Sequence, residues 1–216
     1  MNDTDTRGIA PHYETVTRPE VLEALRKGFK QMNRGMVLLF RLGFGRVLNA
    51  WPSVGGRILV LNHVGRRSGR SYRTPVNYAE SEQSLYCIAA FGNRTDWYRN
   101  ALAGPTLEVW LPDGRWRCQA EDASSDPRRH ELVRAVLIAS GFAAPLVGLH
   151  PHHMSDSALA AATETYRLVR LRRRERLENS IGDLAWVWPI GGGLLLLALA
   201  VFRRRAQRPD AAQTIE

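Results

Sequence analysis

The stretch RILVLNHV, residues Arg57–Val64, runs directly into GRRSGRSYRTP, residues Gly65–Pro75. Its first half is dense in β-branched and aliphatic residues, and its second half has glycine at 65 and 69 among arginines and serines. That is the signature of a strand, a tight basic loop and a return strand. Working outward, Thr74–Ala79, Leu85–Ala90, Leu107–Leu111, Trp116–Ala120 and Tyr166–Leu171 read as further short strands, with Pro112-Asp113-Gly114 a turn. Asp96–Ala103, Pro127–Ser140 and a segment from about Ser157 read as helices. Short strands with interposed helices predict an α+β chain: a small β-barrel decorated by helices.

Upstream of this core, Thr17-Arg18-Pro19-Glu20 has the form of a capping box with proline in the first turn. It opens an apolar series at Leu22, Leu25, Phe29, Met32, Met36 and Leu39, with Arg26, Lys27, Lys30, Arg34 and Arg41 on the other faces. Such a helix either lies on an anionic membrane or covers the barrel, and the second reading is slightly favoured. Gly43, Gly45, Pro52, Gly55 and Gly56 then break the chain. Residues 1–16 are polar, read as disordered, and lack a signal peptide.

The whole chain of 216 residues carries 30 basic and 21 acidic side chains, a net +9, and two cysteines. Two cysteines exclude a disulfide scaffold, and 24% charged residues exclude a polytopic membrane protein. Residues 167–216 hold ten basic and five acidic side chains, so +5 of the +9 sits there. These arginines (170, 172, 173, 174 and 176 before; 203, 204 and 205 after) bracket LAWVWPIGGGLLLLALAVF, the uncharged run 184–202. At about 1.5 Å per residue that run makes roughly 28 Å of helix, close to a bilayer's hydrocarbon thickness. It predicts a C-terminal transmembrane helix with membrane lipid as its partner, Trp186 and Trp188 at one interface, and a basic, disordered tail over 203–216. The barrel domain is then membrane-anchored and cytoplasmic.

Two segments carry the candidate chemistry. In the 65–75 loop, Arg66, Arg67, Arg70 and Arg73 concentrate guanidinium groups suited to phosphate or carboxylate, although an ordinary basic hairpin turn has the same composition. In the second, Ala90-Phe91-Gly92 ends a strand and Asp96-Trp97-Tyr98-Arg99-Asn100 opens a helix, so small residues and an aromatic pair adjoin. An aromatic pair so placed also fits a core. His150-Pro151-His152-His153 lacks a complete ligand set and reads as a loop, with no metal site expected. Nucleic acid is not an expected partner, because aromatics do not interleave the basic runs.

Together the segments resemble the deazaflavin (coenzyme F420)-dependent nitroreductase family. The resemblance rests on Gly65-Arg66-Arg67-Ser68-Gly69, Arg73-Thr74-Pro75-Val76, Ala90-Phe91-Gly92 and Asp96-Trp97-Tyr98-Arg99-Asn100, and runs from about Val37 to Leu171. It implies a split, FMN-binding-like β-barrel over 57–176, following an N-terminal helix and linker over 17–56. It implies an enzyme passing a hydride from reduced F420 to a quinone-like, nitro or other small organic acceptor. Arg66, Arg67, Ser68 and Gly69 would hold the coenzyme's phosphate and acidic tail. Arg73, Thr74 and Pro75 would line the approach to the ring, Ala90, Phe91 and Gly92 would back it, and Trp97 and Asn100 would close the pocket. Phe91 departs from the family's small or polar residue. No obligatory acid or base is visible; Tyr98 and His63 are the candidates. The rivals are an FMN- or haem-binding split barrel and a non-catalytic coenzyme- or lipid-binding module. Family barrels often dimerise, which makes a homodimer an expectation by analogy.

Overall fold

A computed structural model describes residues 19–177 and, beyond them, 184–185, 187–190, 193 and 199. Six strands form a closed, wholly antiparallel barrel: β1 (Ile58–Val64), β2 (Ser71–Ser81), β3 (Ser84–Ala89), β4 (Thr106–Leu111), β5 (Gly114–Asp122) and β6 (Arg167–Leu177), in the order β1-β2-β3-β6-β5-β4. Period-2 alternation sorts the side chains. Leu59, Leu61, Leu85, Cys87, Val109, Cys118, Val169 and Leu171 fill the interior, all essentially inaccessible to solvent. Both cysteines are free thiols, and burial pushes each well above its ordinary pKa.

Helices cover the outside in two groups. The end of α1 (Pro19–Arg41) buries Phe40 against the outward-facing Ile58, Val60 and Trp110. Sequence favoured a barrel cover for this helix, and its final turns are one; Thr17 and Arg18 of the expected cap lie outside the described residues. Two four-residue helices follow, α2 (Gly45–Leu48) and α3 (Pro52–Gly55), where sequence showed only breakers. On the other side, α5 (Arg129–Ile138) seats Leu132, Val133, Val136 and Leu137 over Ala79, Tyr86 and Leu168, with α6 (Ala143–Leu146) and α7 (Asp156–Ala162) beside it.

The strand directions gather the ends. The β1–β2 loop, the end of β3, the starts of β4 and β6 and the end of β5 all lie at one rim, the mouth. There α4 (Asp96–Ala103) crosses from β3 to β4 and packs on β1 and β5. The turn at Pro112 and Asp113 and the end of β6 lie at the far rim, where Arg46 Nε donates to the Pro112 carbonyl at 3.3 Å.

Two expectations about the C-terminal arginines and the apolar run change. Arg170, Arg172, Arg173 and Arg176 belong to the barrel: β6 extends to Leu177, and they stand on it. Arg170 and Arg172 pair with Glu121 at 2.6 and 3.0 Å, Arg173 with Glu80 at 2.7 Å, and Arg173 and Arg176 both lie over Trp116. A long strand paired along its length with β5 gives these side chains partners on the barrel wall, so they need no headgroups. Among the described residues no helix is long and apolar enough to cross a membrane. Most of the run 184–202 lies outside the described residues. Its first part docks on the end of α1: Leu184 N donates to the Arg41 carbonyl at 2.8 Å, and Trp188 Nε1 to the Leu42 carbonyl at 2.9 Å. Trp188 also meets the Phe44 ring edge-on at 5.2 Å.

Candidate active site at the barrel mouth

The basic loop is built by its glycines. The Gly65 amide donates to the Arg70 carbonyl and the Gly69 amide to the Gly65 carbonyl, each at 2.8 Å, closing a tight turn. A side chain at 65 would sit 2.6 Å from both Ser68 Oγ and the Tyr72 ring, and Gly69 adopts φ +64°, so neither position suits another residue.

The side chains then separate by face. His63, Tyr72 and Thr74 share the inner face, since His63 lies opposite Tyr72 and Leu61 opposite Thr74 in the antiparallel register. The Tyr72 ring stacks on His63 with centroids 5.9 Å apart. His63 Nε2 is 3.0 Å from Thr74 Oγ1, and His63 Nδ1 is 3.3 Å from Asn100 Nδ2. Asn100 Oδ1 accepts from the Arg66 backbone amide at 3.2 Å and from Arg66 Nη1 at 2.9 Å; the same nitrogen reaches Asp96 at 3.2 Å. His63 and Asn100 are both buried. Burial drives the imidazole pKa down to about 4, with Asp96 opposing, so at neutral pH the ring is uncharged.

Of the residues expected from sequence, Arg66, Ser68, Gly69, Thr74 and Asn100 come together here with His63. Arg66, however, turns its guanidinium to α4 and acts as a strut between loop and helix. Arg67 and Arg70 are exposed, and among the described residues their side chains have no hydrogen bond or ion pair. Arg73 stands on the outer face, its guanidinium 4.8 Å above the Trp110 ring, and Pro75 is opposite Val60 on that same face. Trp97 packs on the barrel interior. Ala90 and Phe91 are exposed at the β3 arc of the rim, while Gly92 is buried against the Thr165 carbonyl. Tyr98 donates to Asp122 at 2.9 Å, and burial together with that carboxylate pushes its phenol up to about 12. Its proton is committed to tying α4 to the end of β5.

Sequence reasoning missed Tyr72 and Asp96. The signal was the period-2 alternation that puts 59, 61 and 63 on one face, but pairing 63 with 72 needs the register. Away from the mouth, the His150–His153 loop is stitched down by Arg134, whose Nη2 reaches the Met154 carbonyl and Asp156, each at 2.8 Å. Among the described residues no cluster of His, Cys, Asp or Glu is arranged to hold a metal ion.

Residues 33–144, just over half of the chain, match the protein family described as F420H(2)-dependent quinone reductase. The match covers the loop, α4 and every residue of the hydrogen-bonded chain at the mouth. No curated protein matches. Similar solved structures include a conserved hypothetical protein of Mycobacterium tuberculosis, at 16% identity, covering 61% of this chain and 79% of that one with a TM-score of 0.41. An F420-H2 dependent reductase has 18% identity, with 55% and 94% of the two chains covered and a TM-score of 0.37. A protein of unknown function from Agrobacterium tumefaciens has 20% identity, coverage of 64% and 56%, and a TM-score of 0.40.

Proposed function

The chain belongs to the F420H(2)-dependent quinone reductase family, and from that premise we propose that it passes a hydride from F420H2, held at the mouth, to a quinone-like, nitro or other small organic acceptor. It is an oxidoreductase that uses coenzyme F420. The observation that carries the placement is the pair Arg67 and Arg70: two guanidiniums without partners among the described residues, on a loop braced from behind by Arg66. A tail bearing phosphate and carboxylates fits such a pair.

When bound, the coenzyme supplies the hydride chemistry. The chain's own residues position and shield. Arg67 and Arg70 take the anionic tail, α4 and its Trp97 keep water from the interior side, and the Arg66–Asn100 contacts hold loop and helix in one arrangement. His63 is neutral at physiological pH and Tyr98 holds its proton in a hydrogen bond donated to Asp122, so neither serves as a ready acid in this arrangement. The apolar run 184–202 is assigned the role of a membrane anchor. Its start docks on the end of α1, beside the far rim, and so leaves the mouth uncovered.

Fluorescence titration of the full-length protein with oxidised F420 tests the reading. Arg67→Ala is expected to weaken binding by about tenfold, the value of one charge-assisted hydrogen bond, whereas failure of the wild-type protein to bind would refute the placement. Loss of F420H2 absorbance on adding menadione or a nitroaromatic then tests the acceptor class.

A further inference from the structure

The chain Arg66–Asn100–His63–Thr74 determines where each of its protons lies. Arg66 offers only donors, so the Asn100 oxygen must face it, and the amide cannot be reversed without setting N–H against N–H. The Asn100 Nδ2 therefore donates to His63 Nδ1. A buried, neutral imidazole with Nδ1 accepting carries its one proton on Nε2, and that nitrogen points at Thr74 Oγ1 3.0 Å away. The Thr74 hydroxyl is thus an acceptor toward His63, and its own hydrogen must be offered elsewhere. Among the described residues Thr74 Oγ1 has His63 as its one partner, and the side chain is half-buried at the mouth.

We propose that Asn100 and His63 are positioning residues that set the Thr74 hydroxyl as a hydrogen-bond donor into the mouth, toward an acceptor atom such as a ring carbonyl of the bound deazaflavin. This rests on the coenzyme reading of the mouth. Were His63 the other tautomer, Nε2 would demand the Thr74 proton and leave the ligand only an acceptor. The relay therefore favours an oxygen acceptor on the ligand, because only such an atom takes up the hydroxyl hydrogen that His63 leaves free.

Two measurements on the full-length protein test this. The ¹⁵N imidazole spectrum of the ligand-free protein, with the His63 signals identified by their loss in His63→Gln, is expected to show a pyridine-like Nδ1 and a protonated Nε2; a neutral Nδ1–H form overturns the relay. In titrations with oxidised F420, Thr74→Val is expected to bind roughly tenfold more weakly, and Thr74→Ser, which keeps the hydroxyl, within about twofold of wild type. Circular dichroism melts confirm that both variants fold. Wild-type affinity retained in Thr74→Val sinks the donor role while leaving the coenzyme site standing; absence of binding by the wild-type protein itself sinks the coenzyme reading and this role with it. Loss of affinity equal in the Val and Ser variants assigns the effect to packing and also overturns the proposal.

Discussion

Arg66 and Arg67 are neighbours in sequence and opposite in use. One is drawn inward by Asn100 and Asp96 and fixes the loop; the other is left to solvent with its charge unspent. Composition alone ranks them equally, because the difference is made by Asn100, 34 residues away. His63 shows the same dependence. Burial holds its imidazole neutral down to about pH 4, while the unfolded chain takes up a proton near its ordinary value of 6.5. Between those values the unfolded state binds more protons, so stability falls as the pH is lowered and is level above the window, by up to about 3 kcal/mol in total. Urea titrations across this range should show a flatter profile for His63→Gln; an unchanged slope would assign the dependence elsewhere. Gly92 is a residue whose role is backbone. At φ +57°, a Cβ would meet the Thr165 carbonyl oxygen at 2.5 Å, so Gly92→Ala should destabilise by roughly 2–3 kcal/mol in equilibrium denaturation.

At the scale of elements, the strands were legible and their lengths were not. Predicted Thr74–Ala79 and Tyr166–Leu171 became Ser71–Ser81 and Arg167–Leu177. The extensions are rich in arginine and serine, which carry little hydrophobic signal, and they become strand because a neighbour supplies the ladder and acidic partners. Asp96–Ala103 matched to the residue, since Asp96 opens it and Gly104 ends it. The hairpin between β2 and β3 is tighter than its residues prefer: Glu82 and Gln83 both adopt positive φ, 48° and 61°, where Asn-Gly is favoured. Gln83→Gly is expected to stabilise the protein by roughly 0.5–1 kcal/mol, read as a raised melting temperature. Glu82 pairs with Arg128 and so holds the turn against α5, which is why the change is placed at 83.

Across the whole molecule, charge is distributed differently from the pattern the sequence suggested. The excess in the last fifty residues divides between the barrel wall, where β6 arginines pair with Glu80 and Glu121, and the arginines beyond residue 202. The anchor argument then rests on the apolar length of 184–202 and not on a basic bracket. Leu196→Arg places a charge near the middle of that run, at a cost of about 3 kcal/mol in a bilayer. The full-length variant should shift from the membrane pellet to the soluble fraction, while coenzyme affinity stays as in wild type; a wild-type chain found wholly in the soluble fraction would dismiss the anchor.

The order of strands and helices, the turn glycines and the motif series that point to an F420 enzyme were determined by the sequence itself, because each depends on neighbours within a few residues. Closure of the barrel, the face on which Arg73 and Thr74 part, and the proton arrangement from Arg66 to Thr74 were decided only by the tertiary structure. They depend on register, and a shift of one residue in β2 would exchange the inner and outer faces of every side chain on it.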